Sequence, residues 1–504
     1  MKKVLPIFII FVLFLSSHPI QSTATGSSLT VGTVQIDNVS VLSLPKQGST
    51  VITTLKKGEE FPVLSTASGD SSTVIVHTVS PGNTLWKISN QYGIPLSALQ
   101  ETNKLSSAEI RIGQKLIIPQ THTLYTVING DTLWKISEKF NVTINDLTKL
   151  NRLQSSNLIV GQKLNIPDYY VQIQLLGGKK GWVNKSLLKQ TNQQRIVMGW
   201  KYNGSSQNYS QQLKHSNLNV VSPRWYTLNN TGNFVLITAD TNYLKDAHNK
   251  GKKVWPLIGN KFDPVLTDLV LSNPEKRKKL VSTLKNSLVQ TKSDGINVDF
   301  ENIDPKNKQD FIRFVTELKN ALHPHGIKVS VDVTRENKDP FWSGSIDRYA
   351  LGQVADYIIM MGYDEHWGGS PIAGSVASMP WVQEGIELLL EDVPSHKIIL
   401  AVPFYTREWI TNLTTKKVKS IDRTMGEVEQ IISSKNLIKV WDQNTQQNYM
   451  EFTANGDKHQ IWVEDKQSIK LRIDLANQFN LGGAAAWYIG SETPDIWNIY
   501  HFNK

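Results

Sequence analysis

From Arg195 onward, eight short apolar segments alternate with stretches of helical pattern, and this alternation narrows the possible folds more than any other feature of the chain. The strand-like segments are Ile196 to Gly199, Val220 to Ser222, Val254 to Leu257, Ile296 to Phe300, Val329 to Val333, Tyr357 to Met361, Ile398 to Val402 and Ala484 to Trp487. Stretches such as Glu275 to Ser293, Asn307 to His323 and Lys466 to Phe479 fit helices between them. Strands joined by helical crossovers run parallel, and eight of them close into a (β/α)8 TIM barrel of about 250 residues plus insertions. A doubly wound open sheet is the alternative. No Gly-x-Gly-x-x-Gly turn follows any of the strands, so nucleotide binding has no support. An insertion, roughly Ile410 to Glu464, reads as short strands returning to the barrel rim.

At 504 residues the chain exceeds one hydrophobic core, so several domains are expected. A repeat fills much of the first third. His77-Thr78-Val79 and Gly82-Asn83-Thr84-Leu85-Trp86-Lys87-Ile88-Ser89 return 48 residues later as Tyr125-Thr126-Val127 and Gly130-Asp131-Thr132-Leu133-Trp134-Lys135-Ile136-Ser137. The same offset carries Gly113-Gln114-Lys115-Leu116 onto Gly161-Gln162-Lys163-Leu164 and Pro119 onto Pro167. Each copy reads as a strand, a turn, two helices and a closing strand. Trp86 and Trp134 share helical spacing with Leu85 and Ile88 and are expected in the cores. The copies, residues 76–120 and 124–168, resemble LysM domains, whose βααβ fold binds chitin or peptidoglycan glycan.

Two half-patterns flank the repeats. Val39 to Pro45 with Val51 to Glu59, and Tyr170 to Ile173 with Gly181-Trp182-Val183, resemble the start and the end of a bacterial SH3-like β-barrel. One small split barrel is expected, residues 31–70 with 169–190, carrying both repeats in a loop, where insertion is well tolerated. At the N-terminus Lys2, Lys3, the apolar run Val4 to Leu15 and a polar stretch ending in Ser22-Thr23-Ala24 are ordered like a secretory signal peptide, residues 1–24. An uncleaved anchor is the alternative, but the run is shorter than the roughly 20 residues of a spanning helix. No transmembrane segment is expected after cleavage.

Export without cysteine means that no disulfide staples these domains. Removing Lys2 and Lys3 with the leader lowers the formal charge from +10 to +8, which suits an anionic cell wall or spore envelope. The basic residues are dispersed, so nucleic acid is not an expected partner. No His-Glu-x-x-His or similar grouping occurs, so neither a metal nor a cofactor is expected. A monomer is expected.

The chemistry concentrates in Asp294-Gly295-Ile296-Asn297-Val298-Asp299-Phe300-Glu301. Residues alternate faces along a strand, so Asn297, Asp299 and Glu301 point one way and Ile296, Val298 and Phe300 the other. Polar groups inside a barrel are destabilising unless paired, and active sites of this fold lie at the C-terminal strand ends. Glu301, last in the run, would reach the open mouth. The segment resembles the D-x-x-D-x-D-x-E motif of family 18 glycoside hydrolases. Further family-like positions follow in order, at Ser222-Pro223 with Trp225-Tyr226, Met361-Gly362-Tyr363-Asp364, Pro403-Phe404-Tyr405-Thr406-Arg407 and Gly482 to Trp487.

That resemblance implies a catalytic domain over residues 195–504 and a retaining reaction in which the substrate's own acetamide is the nucleophile. Glu301 would be the acid and later the base, Asp299 would hold the acetamide N–H, and Tyr363 would bond its carbonyl. Asn297, Asp364, Met361, Tyr405, Arg407 and Trp487 would contact substrate, Trp487 as the floor under the cleaved sugar. Asn297 stands where many members have a second Asp, and it is expected to hydrogen-bond Asp299 without sharing a proton. Spore-associated peptidoglycan glucosaminidases of the family, which also join LysM modules to the barrel, are the nearest resemblance. A chitinase and a non-catalytic, lectin-like wall binder are the alternatives.

Overall fold

The computed structural model describes residues 28–45, 49–66, 76–92, 96–105, 107–118, 122–140, 142–151, 153–167, 170–201, 213–215, 217–229, 234–236 and 239–502. The expected leader lies outside them. Eight parallel strands close the barrel: β1 (Ile196–Lys201), β2 (Val220–Leu228), β3 (Leu257–Gly259), β4 (Gly295–Asp299), β5 (Lys328–Thr334), β6 (Tyr357–Met361), β7 (Ile398–Pro403) and β8 (Gly483–Trp487). Closure comes from β8, which pairs with both β7 and β1 and sets Ile196 opposite Gly483. The glycine there is obligatory on steric grounds: a Cβ at Gly483 would lie 2.0 Å from the Ile196 carbonyl oxygen.

The two faces of the strands bury against different partners. Ile296, Val298 and Phe300 face outward, where Phe300 stacks on Phe311 and Phe314 of the helix Lys308–Leu322 at 5.9 and 5.5 Å between ring centroids. Met198, Trp200, Leu257, Ile359, Ile399, Ala401 and Ala485 fill the inside as a separate core. The lower barrel is therefore packed solid, and polar chemistry is confined to its upper layer. The third strand differs from the sequence reading. It is broken at Trp255-Pro256, because Pro256 has no N–H for the ladder, and Lys253–Val254 pairs with β2 as a separate piece.

The chain on either side of the repeats joins in one seven-stranded antiparallel sheet, made by residues 28–66 and 170–194. It seats on the end of the barrel where strands begin. Gln193 Nε2 donates to the His396 carbonyl at 3.0 Å, just before β7, and Gln174 Nε2 donates to the Phe479 carbonyl at 3.3 Å, just before β8. The repeats are βααβ modules: Val76–Thr78 pairs with Lys115–Ile117, and His122–Thr126 with Lys163–Pro167. Leu85, Ile88, Leu99 and Leu116 form one core, and Leu133, Ile136, Leu147 and Leu164 form the matching core 48 residues on. Trp86 and Trp134 correct the expectation that they are core, being 64% and 62% exposed. Each helix has only two turns, so its apolar stripe is filled by the leucine and isoleucine at i and i+3, and the adjacent tryptophan points outward.

The insertion is a five-stranded antiparallel sheet that already begins at Tyr405 rather than Ile410, with Tyr405–Asn412 paired to Val418–Thr424 and to Asp457–Val463. A fully buried ion pair at 2.6 Å, Arg472 to Glu464, ties it to the helix before β8. Among the described residues no helix is long and apolar enough to cross a membrane.

Candidate active site

The chain leaves β4 at Asp299, and two features place Glu301 at the mouth. Asn260, after β3, grips the Glu301 backbone from both sides, accepting from its N–H at 3.1 Å and donating to its carbonyl at 2.7 Å. Asn302 then turns the chain away with φ of 53°, a left-handed conformation that asparagine tolerates. Glu301 thereby opens onto a cavity of about 240 Å³ whose wall includes Trp200, Asp299, Asp332, Tyr363, Asp364 and Trp487. Met361 lines the same cavity, as do the cations Lys201, Arg224 and Lys261.

Burial dominates the electrostatics. It pushes the Asp299 carboxyl up to about 6, against the opposing effects of a hydrogen bond with Glu301 and the charge of Arg224. Glu301 is raised well above the usual carboxylate range, first by burial and then by the charges of Asp299, Asp332 and Asp364. Asp299 therefore ionises first and Glu301 keeps its proton, so the pair presents one carboxylate and one acid over a shared window. Tyr363 is raised well above its ordinary value first by burial and then by Asp332, Asp299 and Glu301, so its hydroxyl stays a donor.

The aromatic floor is built by contact. Tyr363 stacks against Trp487 at 6.3 Å between centroids with 24° between planes, and Trp200 meets Trp487 edge-on at 5.6 Å. Asp364, held at φ of 65°, accepts from the Tyr405 hydroxyl at 2.6 Å and from Arg407 at 2.8 Å. Arg407 also bonds Asp422 at 2.6 Å, which anchors it in the inserted sheet. Tyr405 and Arg407 thus stand behind Asp364 and fix its carboxylate, whereas Asp364 itself faces the cavity.

Asn297 departs from the sequence reading. Its Oδ1 accepts from Trp200 Nε1 at 2.7 Å, and its Nδ2 donates to Asp332 at 2.7 Å and to Ser330 at 3.2 Å. Asn297 does not bond Asp299. At 0% exposure it has no surface to offer a substrate, so its expected place among substrate contacts is corrected to a buried link between strands. Asp332, Asn260 and Arg224 were not expected. Asp332 had a signal in the sequence, because Ser330 and Asp332 alternate with Val329, Val331 and Val333 as the polar residues of β4 do.

One expected outcome follows for stability. Asn297→Asp removes the amide donor to Asp332 and sets two buried carboxyls at hydrogen-bond distance, so one must stay protonated in the fold. Both unfolded pKa values lie near 4, so the variant is least penalised below about pH 4 and loses stability as pH rises. The missing hydrogen bond alone is worth about 1–3 kcal/mol. Melting temperatures of the two proteins from pH 4 to 8 should diverge with rising pH, and a constant or shrinking gap contradicts the pairing.

Among the described residues no group of three or more His, Asp or Glu is arranged to hold a metal ion.

Comparison with known proteins agrees with this architecture. Residues 195–492 match the family described as glycosyl hydrolases family 18, and residues 77–119 and 125–167 match the LysM domain. The uncharacterized glycosylase YvbX of Bacillus subtilis is 26% identical over 310 residues, 58% of this chain and 87% of that protein. A cortical fragment-lytic enzyme of Bacillus subtilis is 23% identical over 47% of this chain and 56% of its own length. The structure of the Bacillus cereus spore cortex-lytic enzyme SleL superposes with a TM-score of 0.57 at 22% identity, covering 85% of this chain and 98% of that one. At that identity the likeness carries the fold alone.

Proposed function

Since the chain belongs to family 18 of the glycosyl hydrolases, we propose that this glycosidase cleaves peptidoglycan at its β-1,4-linked N-acetylglucosamine, with the substrate's acetamide as nucleophile. One observation carries the mechanism. Glu301 and Asp299 lie two positions apart at the end of β4 and line the same cavity, whereas enzymes that use two separate carboxylates set them about 5–9.5 Å apart on either side of the scissile bond. That placement supports a reading in which Asp299 flanks the acid and the nucleophile comes with the sugar.

In that reading Glu301 protonates the leaving oxygen while the acetamide carbonyl oxygen closes on the anomeric carbon. Asp299, ionised, accepts the acetamide N–H and stabilises the positive oxazolinium ring. Tyr363 donates to the carbonyl oxygen and fixes its approach. Glu301, now a carboxylate, takes a proton from water, and the hydroxide opens the ring with overall retention. Trp487 supports the sugar from below, and Asp364, braced by Tyr405 and Arg407, is oriented toward substrate hydroxyls.

Lys201, Arg224 and Lys261 on the cavity wall support peptidoglycan over chitin. Peptidoglycan carries lactyl and peptide carboxylates that cations recognise, and chitin has none. The two LysM modules support retention on a wall or spore envelope, and the proposed site of action is outside the cell. Mass spectrometry of fragments released from defined peptidoglycans and from colloidal chitin tests the reading. N-acetylglucosamine at the new reducing ends of peptidoglycan fragments is expected, and release from chitin alone overturns the substrate assignment.

A further inference from the structure

After β3 the chain passes through Lys261 and Phe262 with φ of 59° and 57°, two consecutive left-handed residues that both carry a Cβ. That conformation is disfavoured for such residues and persists where neighbours hold it. Here the Phe262 N–H donates to Asn260 Oδ1 at 3.2 Å, and the Phe262 carbonyl accepts from Asn302 Nδ2 at 2.8 Å. The turn does not bury its ring. Phe262 is 53% exposed, and it meets Trp342, 38% exposed, at 5.9 Å between ring centroids with 33° between planes. Trp342 is fixed in turn, its N–H donating to Asp339 at 2.9 Å and its carbonyl accepting from Thr334 at 2.6 Å. Both rings and Lys261 line the cavity. A strained and pinned turn thus presents apolar faces and a cation to the space where substrate lies.

Two links place this lip relative to the cut. Asn260, which clamps the Glu301 backbone, immediately precedes Lys261, and Asn302, which holds Phe262, immediately follows Glu301. The lip therefore belongs to the acid's side of the cavity, and the sugar that departs with the oxygen protonated by Glu301 lies against it. The cleaved sugar has its own floor in Trp487 and Tyr363. The three cations of the wall differ in their surroundings. Lys201 Nζ lies over the Tyr243 ring at 4.7 Å, and the charge of Arg224 acts on Asp299, whereas Lys261 is exposed on the lip itself.

We propose that Lys261, Phe262 and Trp342 form a subsite for the leaving sugar that selects an amino sugar bearing a carboxylate, with the sugar's face on the aromatic pair and its carboxylate on the Lys261 ammonium. The inference rests on peptidoglycan being the substrate, in which a lactyl-bearing sugar follows each N-acetylglucosamine. A pyranose ring has an apolar C–H face, so the aromatic pair supplies affinity that any such sugar would share. Lys261 supplies the discrimination, because a neutral sugar offers the ammonium no partner.

The probe is a peptide-free tetrasaccharide of peptidoglycan, used with its lactyl carboxylates free and with them amidated. The natural protein should favour the free form in kcat/KM by about fivefold, the upper end for a solvent-exposed ion pair. Lys261→Gln should bring the ratio of the two forms toward one, through KM rather than kcat. Phe262→Asn removes the ring and supplies a residue that tolerates the left-handed turn, so its melting temperature should not fall. It should lower kcat/KM for both forms by about fivefold or more, the size expected for loss of an anchoring aromatic, and leave their ratio unchanged. A Lys261→Gln ratio equal to that of the natural protein overturns the proposal, as does a folded Phe262→Asn variant with natural kcat/KM. A natural protein that cuts a chitin tetrasaccharide and neither peptidoglycan form instead overturns the substrate reading itself, so the two failures are distinguishable.

Discussion

Glu301→Gln should lower kcat on a soluble glycan by about 10²- to 10⁴-fold, the usual contribution of a positioned acid–base group. The substitution removes the transferable proton and little else. Glutamine has nearly the same volume, its amide N–H can still donate to Asp299, and the clamp from Asn260 grips the backbone of residue 301, which the substitution leaves in place. KM should therefore change little, because Tyr363, Asp364 and Trp487, the proposed substrate contacts on the cavity wall, are left in place. Stability gives a second readout of known sign. Glu301 has a folded pKa raised above its unfolded value, so it penalises the native state increasingly as pH rises from the unfolded value toward the raised one. The glutamine variant should gain in melting temperature relative to the natural protein at pH 8, and gain less at pH 4. Near-normal turnover would remove Glu301 from the mechanism, whatever the stability result.

Deleting residues 76–168 should reduce hydrolysis of insoluble wall by about 10²-fold or more at sub-saturating enzyme, and leave hydrolysis of short soluble glycans unchanged. Two linked weak binders raise apparent affinity by about 10²–10⁴ when both engage one polymer. The structure makes the deletion clean. The strands before and after the repeats are neighbours in the seven-stranded sheet, with Thr66 opposite Val171, so a short linker rejoins them without disturbing the pairing. The barrel contributes its own core and its own cavity. Rates on sedimented wall and on soluble oligosaccharide, measured with one preparation, decide the matter. An equal loss on both substrates would mean that the modules support the barrel rather than hold the polymer.

Periodicity carried much of this fold. Seven of the eight barrel strands fall on the expected apolar runs and the third shares only Leu257 with its run, while the alternation in β4 correctly separated Ile296, Val298 and Phe300 from Asn297 and Asp299. Alternation states which face a residue occupies, not which neighbour it meets. Asn297 was expected beside Asp299 two positions along its own strand, yet its amide reaches Asp332 on the next one, because inward side chains of adjacent parallel strands lie closer than those at i and i+2. The same limit hid Asn260, whose work is done on a backbone 41 positions away. Trp86 and Trp134 failed for a different reason. Helical spacing assigns a stripe about 100° wide, and in a two-turn helix one position of error moves a side chain from core to solvent.

Gln193, Gln174 and Glu60 of the seven-stranded sheet meet the barrel around His396 and Phe479, at the strand beginnings, while Glu301 and the cavity lie at the strand endings. The sheet that carries the repeats is therefore seated away from the cavity, and its attachment leaves the mouth of the barrel unobstructed.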